Sequence, residues 1–414
     1  MTTPGKSLET HFFFELRSQT KVKILDNHPT KPLIAYLNIN NILAIWDYER
    51  KTCLKCFNIG AIESKDLSRT VSVRSIRFLD KEILSSLFPN ETIENESPFY
   101  YNSWLIVVSE LKVYFYDYVS EKIEVIPSNI LDNKPPKCVE IVDSRHLAVG
   151  CSDGYTKIFD LVSWTCPKTL KGVHHKTINN LFLYKQPEAP NNRIIVSSLD
   201  GTLLSWNALT EEPLFKFGML KSGKQSSTAN NQEELLSISF NAVSNQIATL
   251  SASYITVWNA KTGEEIVRYK NIKDSNKEPL IGASFLHYGN LSKETMVGHG
   301  KSTEVLLFDV GKGIGQKEPH LDPLTILDFK LLKDYDKNFR IYSLKVHYEK
   351  PHLIFIGTNQ GAYILSLMKT NVILSFISSP FYSSYITPQM VYQRLKYYLF
   401  IFQRSKSLQM KMDP

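Results

Sequence analysis

The sequence predicts an all-β fold, a seven-bladed β-propeller whose N-terminal strand closes the last blade. Three observations carry this reading. A strand ending in an aromatic followed by Asp or Asn recurs along the chain, tight Asp-Gly turns sit between strand-like runs, and helix is scarce. Aromatics make up 12% of the 414 residues, a bias that suits pleated, half-buried strands.

The recurring strand is the first element to justify. It ends at Trp46-Asp47, Tyr116-Asp117, Phe159-Asp160, Trp206-Asn207, Trp258-Asn259 and Phe308-Asp309. A seventh run, Ala362 to Ser366, lacks the aromatic–Asp pair. Successive aromatics fall 43 to 52 residues apart, with one gap of 70. A four-stranded propeller blade takes about 40–45 residues, so the unit resembles a WD repeat with lengthened loops. The long gap predicts an insertion at roughly 81–102, a polar stretch rich in Glu, Asn and Ser.

The turns follow. Asp153-Gly154 and Asp200-Gly201 each sit between two strand-like runs, where Asp-Gly supplies the positive φ of a hairpin. Asn359-Gln360-Gly361 does the same in the last unit. Leu236 to Phe240 and Ile178 to Leu183 alternate apolar and polar residues, as half-buried strands do.

A closed ring needs its end strands to meet. Phe12-Phe13-Phe14-Glu15-Leu16 is strand-like without a neighbour of its own, so it is expected as the outer strand of blade seven. Residues 1–11 then read as a disordered N-terminus, 12–368 as the propeller, and 369–414 as a basic, aromatic tail. On its own residues that tail reads as disordered. Its segment Pro388 to Gln403 is the one candidate helix.

Composition removes several classes. Cys53, Cys56, Cys138, Cys151 and Cys166 are few, odd in number and without framework spacing, which reads as reduced thiols. No apolar run approaches the roughly 20 residues of a membrane helix. The net charge is +7, but the tail's six bases and one acid carry +5 of it. A body at +2 argues against nucleic-acid binding.

Chemical motifs are weak. Gly298-His299-Gly300-Lys301-Ser302-Thr303 resembles the end of a phosphate loop, but Thr295 stands where the first Gly belongs and a strand follows. Gly311 to Gly315 has the wrong spacing for a dinucleotide fingerprint. Cys53 and Cys56 have redox or zinc spacing, but there is no second pair, and a regular strand would point them to opposite faces. Trp46, Trp206 and Trp258 read as packing between blades. In WD repeats a His at the place of His174 links to the Asp of a turn, with Asp153 and Asp200 as candidates here. No catalytic constellation, metal site, cofactor or small-molecule substrate emerges, so the expectation is a non-enzymatic scaffold. An enzyme would need polar or metal-binding residues converging on the central channel.

Several segments resemble the WD-repeat propeller subunits of the TSET or TPLATE membrane-trafficking coat, distant relatives of the COPI propeller subunits. They are Lys21 to Leu33 with Ile45 to Tyr48, the insertion in blade two, and Leu131-Asp132-Asn133-Lys134. The most specific is Val346-His347 to Leu353 with Gly357-Thr358-Asn359. The resemblance implies a cytoplasmic scaffold recruited peripherally to the plasma membrane. There it would act in endocytosis with the other coat and adaptor subunits, with no catalytic residues to carry over. Relatives continue into an α-helical solenoid, whereas this sequence stops at Pro414, so either the sequence is cut short or the solenoid has been lost. The tail leaves two readings open: attachment to an acidic membrane surface, or solvated sequence without a role. The alternative function is a general WD-repeat interaction platform in another assembly, of ligase-adaptor or chromatin type.

Overall fold

The computed structural model describes residues 9–17, 21–59, 72–84, 103–184, 193–218, 233–271, 279–329 and 338–368, apart from 81, 173, 242, 288–290, 301–302, 318 and 348. β1 (Glu9–Arg17) opens the chain. Blade one is β2 (Val22–Asn27), β3 (Leu33–Asn38), β4 (Ile42–Asp47) and β5 (Thr52–Asn58). Blade two is β6 (Val73–Leu79), β7 (Trp104–Ser109), β8 (Val113–Asp117) and β9 (Ile123–Val125). Blade three is β10 (Pro136–Ile141), β11 (His146–Cys151), β12 (Thr156–Asp160) and β13 (Thr165–Leu170). Blade four is β14 (Ile178–Tyr184), β15 (Arg193–Ser198), β16 (Leu203–Asn207) and β17 (Glu212–Lys216). Blade five is β18 (Leu235–Asn241), β19 (Gln246–Ser251), β20 (Tyr254–Asn259) and β21 (Glu265–Lys270). Blade six is β22 (Gly282–Phe285), β23 (Thr295–His299), β24 (Glu304–Asp309) and β25 (Pro323–Asp328). Blade seven takes β26 (Ile341–Val346), β27 (Leu353–Thr358) and β28 (Gly361–Met368).

β1 completes blade seven, in the order β1-β28-β27-β26. It runs antiparallel to β28, from Glu9 opposite Met368 to Arg17 opposite Gly361, with a bulge between Phe12 and Phe14. The strand therefore starts at Glu9, inside the stretch read as a disordered terminus, because its first residues pair with the end of β28. The same closure accounts for the missing aromatic–Asp pair in unit seven. Elsewhere that Asp or Asn caps the turn into a fourth strand, whereas β28 continues past Ser366 to Met368 and its outer neighbour is β1, from the other end of the chain.

Burial follows the layering. The two central strands of most blades are covered by neighbouring blades on both faces, and β3, β7, β8, β12, β15, β16, β19, β23 and β27 are buried along their whole length. Outer strands face solvent, as in β5 and β17. First strands of neighbouring blades touch, β2 against β26 and β6, and β10 against β6 and β14. They form the inner wall.

The insertion expected in blade two falls between β6 and β7, and 85–102 lies outside the described residues. So does the tail from 369 onward, with its candidate helix.

Candidate interaction site

The Asp or Asn of the recurring pair is a turn cap. Asp47 Oδ1 accepts the N–H groups of Glu49 at 3.0 Å and Arg50 at 2.8 Å. Asp117 accepts Val119 N–H, Asp160 accepts Val162 and Ser163, and Asp309 accepts Gly311. Asn207 and Asn259 do the same for their turns. A short oxygen-bearing side chain suits the place because it can bond backbone two residues on. The aromatic before it packs between blades. Phe159 and Phe308 are fully buried, and the Trp258 indole N–H donates to Thr249 Oγ1 at 2.8 Å. The equivalent indole of Trp206 is buried without such a partner among the described residues, because Val196 stands where blade five has Thr249.

The turn acids divide. Asp200 Oδ2 accepts His175 N–H at 2.8 Å, and its Oδ1 binds Thr202, whose hydroxyl lies 2.6 Å from His174 Nδ1. His174 is thus tied to the turn carrying Asp200 and Gly201, through Thr202. Burial holds the His174 ring neutral, down to about 4. Asp153 instead accepts the N–H of Tyr155 in its own turn. Gly154, at φ +87°, packs where a Cβ would come within 2.7 Å of the His174 carbonyl.

His347 and Gly357 lie at the seam between blades seven and one. His347 Nδ1 accepts the N–H groups of Glu349 and Lys350, and its ring meets Tyr48 edge-on at 6.4 Å. A Cβ on Gly357 would sit 2.4 Å from Ser343 Oγ and 2.9 Å from Val22 Cγ1, so only glycine fits this close approach.

Sequence reasoning missed a polar ring on the inner wall. The strand registers place Asp26, Arg77, Glu140, Phe182, Ser239, Ser284 and Lys345 at one equivalent level of the seven first strands. Lys345 pairs with Asp26, and Arg77 with Glu140 at 2.5 Å, so charges alternate around blades seven, one, two and three. Asp26 Oδ2 also accepts Phe78 N–H at 3.1 Å, and Ser239 repeats this bond to Phe285 N at 2.9 Å. Burial pushes the Glu140 carboxyl up, with the Arg77 charge opposing. The inner wall is therefore charged over half its circumference, but these charges staple blade to blade. The legible signal was a charged residue three places after a cation in three successive first strands, Asp26 after Lys23, Arg77 after Arg74 and Glu140 after Lys137.

The remaining motifs resolve structurally. Gly298 and His299 end β23, and β24 follows without a helix. Gly313 N–H bonds the Tyr269 hydroxyl at 2.9 Å, which pins the glycine-rich loop to blade five. The Cys53 and Cys56 expectation needs correction. A bulge at Leu54 sets Cys53 opposite Trp46 and Cys56 opposite Ala44, so both thiols share one face of β5. Both residues are exposed on this outer strand, and partial desolvation of the thiols raises Cys53 and Cys56 above the usual thiol range. Among the described residues no group of three or more His, Cys, Asp or Glu could hold a metal ion. No helix among them is long and apolar enough to cross a membrane.

No family model matches the sequence. Over 271 residues, 65% of this chain, it is 21% identical to TSET complex member tstF of Dictyostelium discoideum. The chain is similar to a TSET complex member. The aligned stretch is 22% of tstF, so the chain spans about a fifth of that relative's length. The tstF similarity and the seven-bladed ring together agree with the resemblance read from the blade motifs.

Proposed function

We propose that this chain is a non-catalytic propeller subunit of a TSET-like trafficking complex, acting in endocytosis at the plasma membrane. The observation that carries the reading is the similarity to tstF, which takes in about two thirds of a chain folded as a closed seven-bladed ring. Rigid blades hold loops at two ends, and loops on a rigid scaffold are where recognition concentrates. The charged residues of the inner wall are consistent with a scaffold, since each is spent on a neighbouring blade. Partners are the other coat and adaptor-like subunits, and recruitment to the membrane is peripheral.

The test is affinity purification of the tagged full chain from its own cells, read by mass spectrometry. Recovery of adaptor-like large, medium and small chains supports the reading. Their absence, with ligase or histone-modifying chains recovered instead, replaces it with a general interaction platform.

A further inference from the structure

Six of the seven first strands carry a bulge at the same step, near their start. The extra residue is Lys23 in blade one, Arg74 in blade two and Lys137 in blade three. A bulge re-aims a side chain out of the pleat. Three successive blades therefore turn a cation out around one mouth of the ring. The β3–β4 and β7–β8 hairpin tips lie at this same end, since Ile39 N–H bonds Lys21 O at 2.9 Å and Arg74 pairs with Glu110 at 2.6 Å. Those tips expose Ile39 and Leu111, at 44% and 54%. Lys112 is exposed beside Leu111, and Arg340 lies exposed at the matching place in blade seven, its N–H bonded to Asn359 of that blade's hairpin tip.

At this end of blades seven to three, Lys21, Lys23, Arg74, Lys112, Lys137 and Arg340 stand against the described acids Glu110, Asp132 and Asp153. Lys134 adds a further cation, and Asp132 is already paired with Lys157. Of the six cations only Arg74 has an ion pair among the described residues, with Glu110. At the opposite end, by contrast, Lys31 pairs with Asp80, Arg50 with Asp47, Arg145 with Asp160 and Lys350 with Glu49.

We infer that the bulge-and-hairpin end of blades seven, one, two and three docks on an acidic lipid surface, with Ile39 and Leu111 entering the headgroup layer between the cations. The cations are spread over four blades rather than drawn to one pocket, which fits a flat multivalent surface better than a peptide. Exposed apolar tips among basic residues are the chemistry of interfacial binding. The inference deepens the trafficking reading and has its own readout, because vesicle binding can fail while complex assembly stands.

The experiment is flotation of the full chain with phosphatidylcholine vesicles, with or without about a third phosphatidylserine, enough to give a negative surface potential. Wild type floats with the acidic vesicles and far less with the neutral ones. Lys23→Glu with Lys112→Glu weakens that binding about tenfold or more, at about one kcal/mol per basic residue. Ile39→Ser with Leu111→Ser weakens it at unchanged charge, and Lys261→Glu with Lys312→Glu, on other loops, leaves it intact. The milder Lys23→Gln with Lys112→Gln gives a smaller loss should the reversals fail to fold. Equal binding to neutral vesicles, or face variants that float like wild type, overturns the inference. Loss of a co-assembling protein from the face variants, with vesicle binding retained, also overturns it by making this end a protein interface.

Discussion

Asp26 and Lys345, 319 residues apart, form an ion pair across the seam where the ring closes. The other carboxylate oxygen of Asp26 takes the Phe78 N–H, so one side chain holds blades seven, one and two. Asp26→Ala leaves a lysine without its acid and a buried N–H without an acceptor. The expected cost is about 2 kcal/mol, from an unsatisfied buried N–H plus the loss of a partly exposed ion pair. Lys345→Met costs less, because Asp26 keeps the Phe78 bond. Urea midpoints of the two variants check the order.

Acid sensitivity is expected from the histidines. Burial holds His174, His299 and His347 neutral, down to about 4 each. The unfolded chain takes up these protons near pH 6.5 and the folded one does not, so stability is full above pH 6.5 and falls as pH drops toward 4. Each ring removes up to about 2 kcal/mol at pH 5. Asp80 and Asp160, both held near 2, act in a lower window, where their stabilisation is lost as pH falls from the ordinary carboxylate range through 2. His347→Gln should flatten the melting-temperature decline between pH 7 and 5 by about a third, the share of one ring in three.

The caps can be separated from the charges they carry. Asp160 caps its turn and also binds Arg145 at 2.8 Å. Asp160→Ala should cost about 1–2 kcal/mol, the scale of a lost backbone cap plus a half-exposed pair. Asp160→Asn keeps the cap, as Asn207 and Asn259 do naturally, and should cost less than half as much in thermal denaturation.

Blade four can be improved. Val196→Thr places a hydroxyl where Thr249 serves Trp258, and so offers the buried Trp206 indole an acceptor. A gain of about 1 kcal/mol is expected from one added buried hydrogen bond, read as a higher urea midpoint. No gain would mean the hydroxyl faces the wrong way.

The fold was legible where a local rule repeated. Trp46-Asp47 and its counterparts pair a packing aromatic with a turn cap, and both needs are local. The closing strand was legible in outline, because Phe12 to Leu16 had no neighbour in sequence. The site was less so. The Asp26–Lys345 pair depends on registers in two blades from opposite ends of the sequence, which no local pattern carries. The shared face of Cys53 and Cys56 depends on one bulge at Leu54, and a single extra residue reverses the parity of everything after it. The cations at Lys23, Arg74 and Lys137 look scattered in sequence and align only once the bulges are placed.

The pairing of Arg17 with Gly361 also sets a schedule for biosynthesis. At roughly 5–20 residues per second, the first strand leaves the ribosome on the order of tens of seconds before its partner exists. Six blades can form in that interval while two open sheet edges wait, and such edges invite aggregation. The last step of folding is then the docking of β1 onto β28, which covers the edge that stood open.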